Sequence, residues 1–72
     1  MTAQRRSRRD ATPNFNHLRR GFYYRAATRY GVAFGEYLGM EAPYGEWAML
    51  LRHDNRTRSI ALGDVTSIHL AA

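Results

Sequence analysis

Eleven arginines carry the positive charge of this chain, which has no lysine. Arginine donates hydrogen bonds from a planar fork and stacks on flat groups, which suits contacts with phosphates and bases. Residues 1–20 hold six arginines and one acid, a net charge of +5, whereas residues 21–72 hold five arginines and five acids and are neutral. The six are Arg5, Arg6, Arg8, Arg9, Arg19 and Arg20. Attraction to phosphate is therefore mainly a property of the N-terminal segment, although codon usage in GC-rich DNA also explains arginine in place of lysine.

A second group of arginines alternates with aromatic and small residues. Residues 22–29 are typical of a strand, whose side chains point alternately to two faces. The face predicted to meet the core carries Phe22, Tyr24, Ala26 and Thr28. The other face carries Tyr23, Arg25, Ala27 and Arg29. A tyrosine beside two arginines can stack bases and contact phosphates, and the alternative is an ordinary solvent-exposed face.

Side chains that could catalyse a reaction or hold a metal are scattered. There is no cysteine, and His17, His53 and His69 lie far apart. Glu36 and Glu41 are five residues apart and fall on opposite faces of a regular strand. The serines have no recognisable nucleophile motif, and no glycine-rich phosphate loop fits. We expect no catalytic residue, no metal, no cofactor and no enzymatic activity.

Length and composition limit the organisation of the chain. Seventy-two residues allow one domain. Residues 1–11 are too polar to bury much surface, so we expect a disordered basic arm that binds nucleic acid or simply aids solubility. Residues 12–72 form the predicted domain. No apolar run approaches the roughly 20 residues of a membrane helix, and we expect a cytoplasmic protein.

The domain is predicted to begin with a short helix over residues 12–21. Thr12 can cap it, Pro13 suits its first position and Gly21 can close it. Phe15 and Leu18 would share the face that covers one end of the domain.

Residues 32–41 form the predicted strand around which the others are arranged. Its expected apolar contacts are Val32, Phe34, Tyr37 and Leu38. Gly35 lies in its middle, and a glycine within a strand marks a bend, a bulge or a close approach of another backbone. After a turn at residues 42–45, residues 46–52 are predicted to form the central strand. Trp47 within it lies either in the core or at an interface.

Two more strands complete the domain. A hairpin over residues 53–57 leads into a strand over residues 58–62 with Ile60 and Leu62 inward. After a turn at Gly63 and Asp64, residues 65–70 form the last strand, with Ile68 and Leu70 inward. The predicted fold is mainly β, with a short N-terminal helix followed by a five-stranded, strongly bent antiparallel small barrel that is SH3-like in architecture. A core this small often gains stability by oligomerising.

This order of elements resembles the Sm-like family, which includes the bacterial Hfq-type RNA chaperones. Gly31, Gly35 and Glu41 stand at the places of two glycines and an acid in the family's first motif. Tyr44 matches its base-stacking position, although Gly45 replaces the neighbouring asparagine. Leu62-Gly63-Asp64 keeps the glycine and acid of the second motif without its basic residue.

The resemblance implies RNA as the ligand class, with Tyr44, Gly63 and Asp64 at the site. It also implies a homo-oligomer in which the fourth and fifth strands of neighbours pair. The residues leave other functions open, namely a protein-interaction module that adds an edge strand to a partner, or a structural oligomer without a nucleic-acid ligand.

Overall fold

The computed structural model describes residues 14–71. Five strands account for most of these residues. The strands are β1 (Tyr23–Thr28), β2 (Gly31–Glu41), β3 (Ala48–His53), β4 (Arg56–Ala61) and β5 (Val65–Leu70). A single 3₁₀ turn, Leu62–Asp64, joins β4 to β5. The prediction of a mainly β fold is confirmed.

All pairings between the strands are antiparallel, and the strands form one sheet in the order β4-β3-β2-β1-β5. The last strand returns to lie beside the first. The sheet is not closed, because β4 and β5 are its two edges. The central strand is β2, so the prediction that residues 46–52 form the central strand is wrong.

The predicted N-terminal helix is wrong for the residues that the structure describes. Residues 14–21 form turns, and residues 12 and 13 lie outside the described range. Local bonds replace the helical ones, since the Asn14 side chain accepts from the Asn16 amide at 2.9 Å. The Gly21 amide donates to the Tyr37 carbonyl at 3.0 Å, and the Tyr37 amide donates to the Phe22 carbonyl at 2.9 Å. Pairing with β2 therefore takes the backbone groups that a helix would need.

Gly35 is the point where two neighbouring strands come closest. A Cβ added to it would lie 2.8 Å from the carbonyl oxygen of Arg52, on β3. Of the alternatives for this glycine, the close approach is therefore the one observed. The bulge of β2 lies further along, at Leu38, where the register with β3 shifts between Tyr37 and Gly39. Gly39 has a φ of 140°, which a residue with a side chain rarely adopts.

The core-facing side of β2 is the reverse of the predicted one at its beginning. Ala33 and Gly35 face the core, whereas Val32 is 63% exposed and Phe34 is 37% exposed. Small residues occupy the core side here because the backbone of β3 leaves no room for larger ones. Tyr37 is buried as predicted.

Other strands follow the predicted alternation except at their ends. Tyr24, Ala26, Ile60 and Ile68 are buried, as expected. Two predicted core residues are exposed, because Phe22 precedes β1 and Leu70 ends the edge strand β5. Val65 is buried and Thr66 is exposed, since β5 carries a bulge opposite Ala27 and Thr28 that changes its alternation.

The β3–β4 hairpin is confirmed. Its two turn residues, Asp54 and Asn55, have φ values of 53° and 65°. Positive φ at both positions defines a type I′ turn, whose twist matches that of the paired strands. The hairpin therefore projects as a regular ribbon up to its tip.

Tyr37 and Tyr24 pack edge to face in the core, with ring centroids 6.2 Å apart. Burial raises the pKa of Tyr37, an effect that the charge of Arg20 opposes and that Tyr24 reinforces. The neutral phenol is thus favoured in the folded chain. Its contribution to stability is complete below the ordinary tyrosine pKa of about 10 and is lost as the pH rises through the higher folded value.

We expect the substitution Gly35→Ala to lower the free energy of unfolding by about 1–3 kcal/mol, because the new methyl group would collide with the Arg52 backbone. Urea unfolding monitored by circular dichroism measures the change. Gly63→Ala is the matched control, since a Cβ there meets no atom within 4 Å. Equal stabilities for the two variants would contradict the close approach.

Candidate functional site

A cleft opens where β2 changes its pairing partner. The strand pairs with β1 from Gly31 to Glu36 and with β3 from Glu36 to Glu41. The hairpin residues after Arg52 are therefore not paired with β2. A cleft of about 910 Å³ lies between these hairpin residues and β2. Its lining consists of Val32, Phe34, Leu51, His53, Asp54, Arg56, Thr57 and Arg58. We call it the hairpin cleft.

Three rings from adjacent strands form a row that runs into this cleft. Tyr23 of β1 lies beside Phe34 of β2, with ring centroids 5.6 Å apart and planes inclined by 35°. Phe34 meets the His53 ring of β3 edge to face at 5.1 Å. Tyr23 and Phe34 are both more than a third exposed. The row is therefore an apolar, flat-sided surface that is partly open to solvent, the kind on which a planar ligand can stack.

Two arginines on β4 bring positive charge to the hairpin cleft. Arg56 and Arg58 alternate with buried Ile60 and share its face of β4. Both are exposed, and among residues 14–71 no acid lies within ion-pairing distance of either. Their guanidinium groups are thus available to a ligand anion. Charged side chains on the core-facing side of an edge strand such as β4 also discourage strands of other chains from pairing with it non-specifically.

Two other arginines of the sheet region, Arg29 and Arg52, already have acidic partners. Arg52 pairs with Glu36 across β2 and β3 at 3.0 Å. Arg29 pairs with Asp64 at 3.2 Å, and its backbone amide donates to the Asp64 carbonyl at 3.0 Å. These pairs join neighbouring parts of the chain, and each partner is at least partly solvent-exposed, so each contributes little to stability.

The predicted contact residues divide between separate surfaces. Tyr23 belongs to the ring row, and Arg25 lies directly opposite Phe34 in the β1–β2 register. Arg29, Gly63 and Asp64 instead line a second cleft, together with Glu46, Trp47, Ala61 and Leu62. The structure thus places Tyr23 and Arg25 beside Phe34, although neither lines the hairpin cleft, and places the other three elsewhere.

The remaining predicted residues that the structure describes, Arg19, Arg20 and Tyr44, line neither cleft. The amide of Arg19 donates to the Tyr24 hydroxyl at 3.0 Å, and the guanidinium of Arg20 lies over Gly39. Tyr44 is 93% exposed in the loop between β2 and β3. Arg5, Arg6, Arg8 and Arg9 lie outside the described residues, as does the predicted arm of residues 1–11.

None of the eight residues that line the hairpin cleft was among the predicted contacts. Phe34 was assigned to the core, and His53 was assigned to the hairpin connection of residues 53–57. The alternation of Arg56, Arg58 and Ile60 in the sequence was the available signal, because it places two charges on a core-facing side. Recognising it required knowing that β4 is an edge strand.

Trp47 lies between two surfaces and is 60% exposed. It lines the second cleft and also a shallow apolar groove with Phe15, Tyr37, Met40 and Leu62. Its carbonyl accepts from the Leu62 amide at 3.0 Å, which ties the β2–β3 loop to the 3₁₀ turn. In the single chain, therefore, Trp47 belongs to the surface and not to the core.

Comparison with protein-family models, with curated proteins and with solved structures finds no match to this chain. Within residues 14–71, no helix has the length and apolar character needed to cross a membrane. The same residues contain no cluster of three or more histidine, aspartate or glutamate side chains that could hold a metal ion.

We expect the fluorescence of Trp47, the one tryptophan of the chain, to resemble that of a water-exposed indole at low protein concentration. Its emission maximum should lie close to that of the chain unfolded in urea, and acrylamide should quench it readily. A shift to shorter wavelength with rising concentration would indicate that a second copy covers the side chain. Shielded emission at every dilution would contradict the exposed position.

Proposed function

We propose that this protein binds single-stranded nucleic acid and that the hairpin cleft is the contact surface of its folded part. The observation that carries the proposal is the ring row of Tyr23, Phe34 and His53 beside the two arginines of β4. Proteins that bind single strands without a fixed sequence combine aromatic stacking platforms with cationic groups that follow the backbone.

Each component of the cleft would have a separate task. A base stacks on the Phe34 ring, whose exposed area is otherwise in contact with water. Arg56 and Arg58 contact the phosphates on either side of that base, since neither guanidinium has an acidic partner among the described residues. Stacking on an aromatic side chain is worth about 1–3 kcal/mol per base, and the contacts of the two arginines with phosphates add to it.

RNA is the proposed ligand, and this preference over DNA comes from the resemblance to the Sm-like family. The strand order β4-β3-β2-β1-β5 supports that resemblance, because it brings the fifth strand beside the first, as a bent small barrel requires. A role as an RNA chaperone or post-transcriptional regulator would follow from it.

The basic arm supplies the long-range attraction in this proposal. The charge excess of the chain lies in residues 1–20, while the remainder is neutral. Attraction through the arm is independent of sequence and weakens as salt increases. The arm would therefore raise the rate of encounter, and the cleft would hold the strand in place.

A homo-oligomer is a further part of the proposal. Both edge strands, β4 and β5, have backbone groups free to pair with another strand. Trp47 and Leu70 are exposed apolar side chains, of the kind that a second protein surface covers. They therefore also support the second candidate function, a protein-interaction module. A stoichiometric protein partner that survives nuclease treatment would favour that second function.

We expect Phe34→Ala to weaken binding of a fluorescein-labelled single-stranded RNA by about ten-fold in fluorescence anisotropy, because one stacking contact is lost. Tyr30→Ala is the matched control, since Tyr30 is an exposed aromatic residue that does not line the cleft. A DNA strand of the same sequence tests the preference for RNA. Equal affinities for the Phe34 and Tyr30 variants would contradict the role of the cleft.

We expect the joint replacement of Arg5, Arg6, Arg8 and Arg9 by alanine to weaken RNA binding at low salt and to flatten its salt dependence. If all four contact phosphates, the slope of log K against log salt falls by about 3. Replacing Arg56 and Arg58 removes two such contacts and lowers the slope by about half as much. An arm variant that binds as tightly as the parent at low salt would exclude the arm from the interaction.

A further inference from the structure

We propose that the carboxylate of Asp54 gives the hairpin cleft a preference for guanine over uracil; this inference rests on the proposed binding of single-stranded nucleic acid. Asp54 is at the tip of the β3–β4 hairpin and lines the cleft. It is the one carboxylate among the described residues of that lining.

The carboxylate of Asp54 lies close to one ring of the row. Its Oδ2 lies 3.5 Å from Nε2 of His53, the ring that meets Phe34 edge to face. The Asp54 side chain is 84% exposed, so its oxygens retain free acceptor sites. Since Phe34 and Asp54 line the same cleft, a base stacked on Phe34 can turn its hydrogen-bonding edge toward this acceptor.

The turn itself does not require an acid at this position. A type I′ turn needs positive φ at both central residues, and asparagine or glycine satisfies it as well as aspartate does. A negative charge beside Arg56 and Arg58 also reduces the attraction of the cleft for phosphate. Turn geometry accepts the carboxylate without requiring it and phosphate binding does not favour it, whereas recognition of a base edge would use it.

The four bases differ in how well their hydrogen-bonding groups match a carboxylate. Ionised aspartate only accepts hydrogen bonds, and it has two oxygens. Guanine presents N1–H and N2–H side by side, which match both oxygens. Cytosine and adenine offer one amino group next to a ring acceptor. Uracil offers a single N3–H between two carbonyl oxygens, which a carboxylate repels. The expected order of affinity is guanine first, cytosine and adenine next, and uracil last.

The test uses three RNA hexamers that cannot form quadruplexes: all uridine, uridine with one central guanosine, and the same strand with inosine in its place. Because a bidentate base contact discriminates by about 1–3 kcal/mol, we expect the full chain to prefer the guanosine strand about ten-fold. Inosine lacks the N2 amino group and should fall between the two.

Asp54→Asn is the decisive variant, since asparagine keeps the turn and removes the acceptor pair. It should bind the guanosine and uridine strands equally and should not lose affinity for uridine. Equal affinity of the parent for all three strands, or a guanosine preference that survives in Asp54→Asn, would overturn the inference. In those cases, binding that still depends on Phe34 would leave the proposed function standing. Failure of every strand to bind would reject both.

Discussion

The close contact between Gly35 and the backbone of Arg52 is the constraint on which the rest of this structure depends. No side chain fits between the two strands at this point, because even a Cβ would lie 2.8 Å from the Arg52 carbonyl oxygen. The contact permits β2 to pair with two neighbouring strands in succession, first with β1 and then with β3. The bulge at Leu38 and the positive φ of Gly39 continue the same change of direction.

This arrangement accounts for both the core and the cleft. The small residues of β2 face inward, and larger ones from other strands fill the interior, with Tyr24, Met49 and Leu51 the largest fully buried side chains. Phe34 is correspondingly displaced to the other side of β2 and remains partly exposed. The backbone geometry that allows a core in so short a chain thus also produces the surface proposed to bind a ligand.

The sequence was sufficient to predict strands, the hairpin turn and much of the core. Alternation located Tyr24, Ala26 and Ile68, and the Asp54-Asn55 pair carried its own turn chemistry. Alternation did not fix which face of β2 points inward, since Val32 and Phe34 are apolar and the buried positions hold alanine and glycine. Which face of β2 points inward depends on the path of β3, because Gly35 lies against the backbone of Arg52, 17 positions further along the chain. The helix prediction was wrong for a similar reason, because pairing with Tyr37 competes with local bonds.

We propose that a single nucleic-acid strand occupies the hairpin cleft. Mapping of backbone amide shifts by ¹H–¹⁵N NMR, with a short single-stranded RNA added to the full chain, tests it most directly. We expect the largest shifts on Val32, Phe34, His53 and residues 56–58, at opposite walls of the cleft. Shifts confined to the N-terminal arm and to the loop of Tyr44, with the hairpin unaffected, would contradict it.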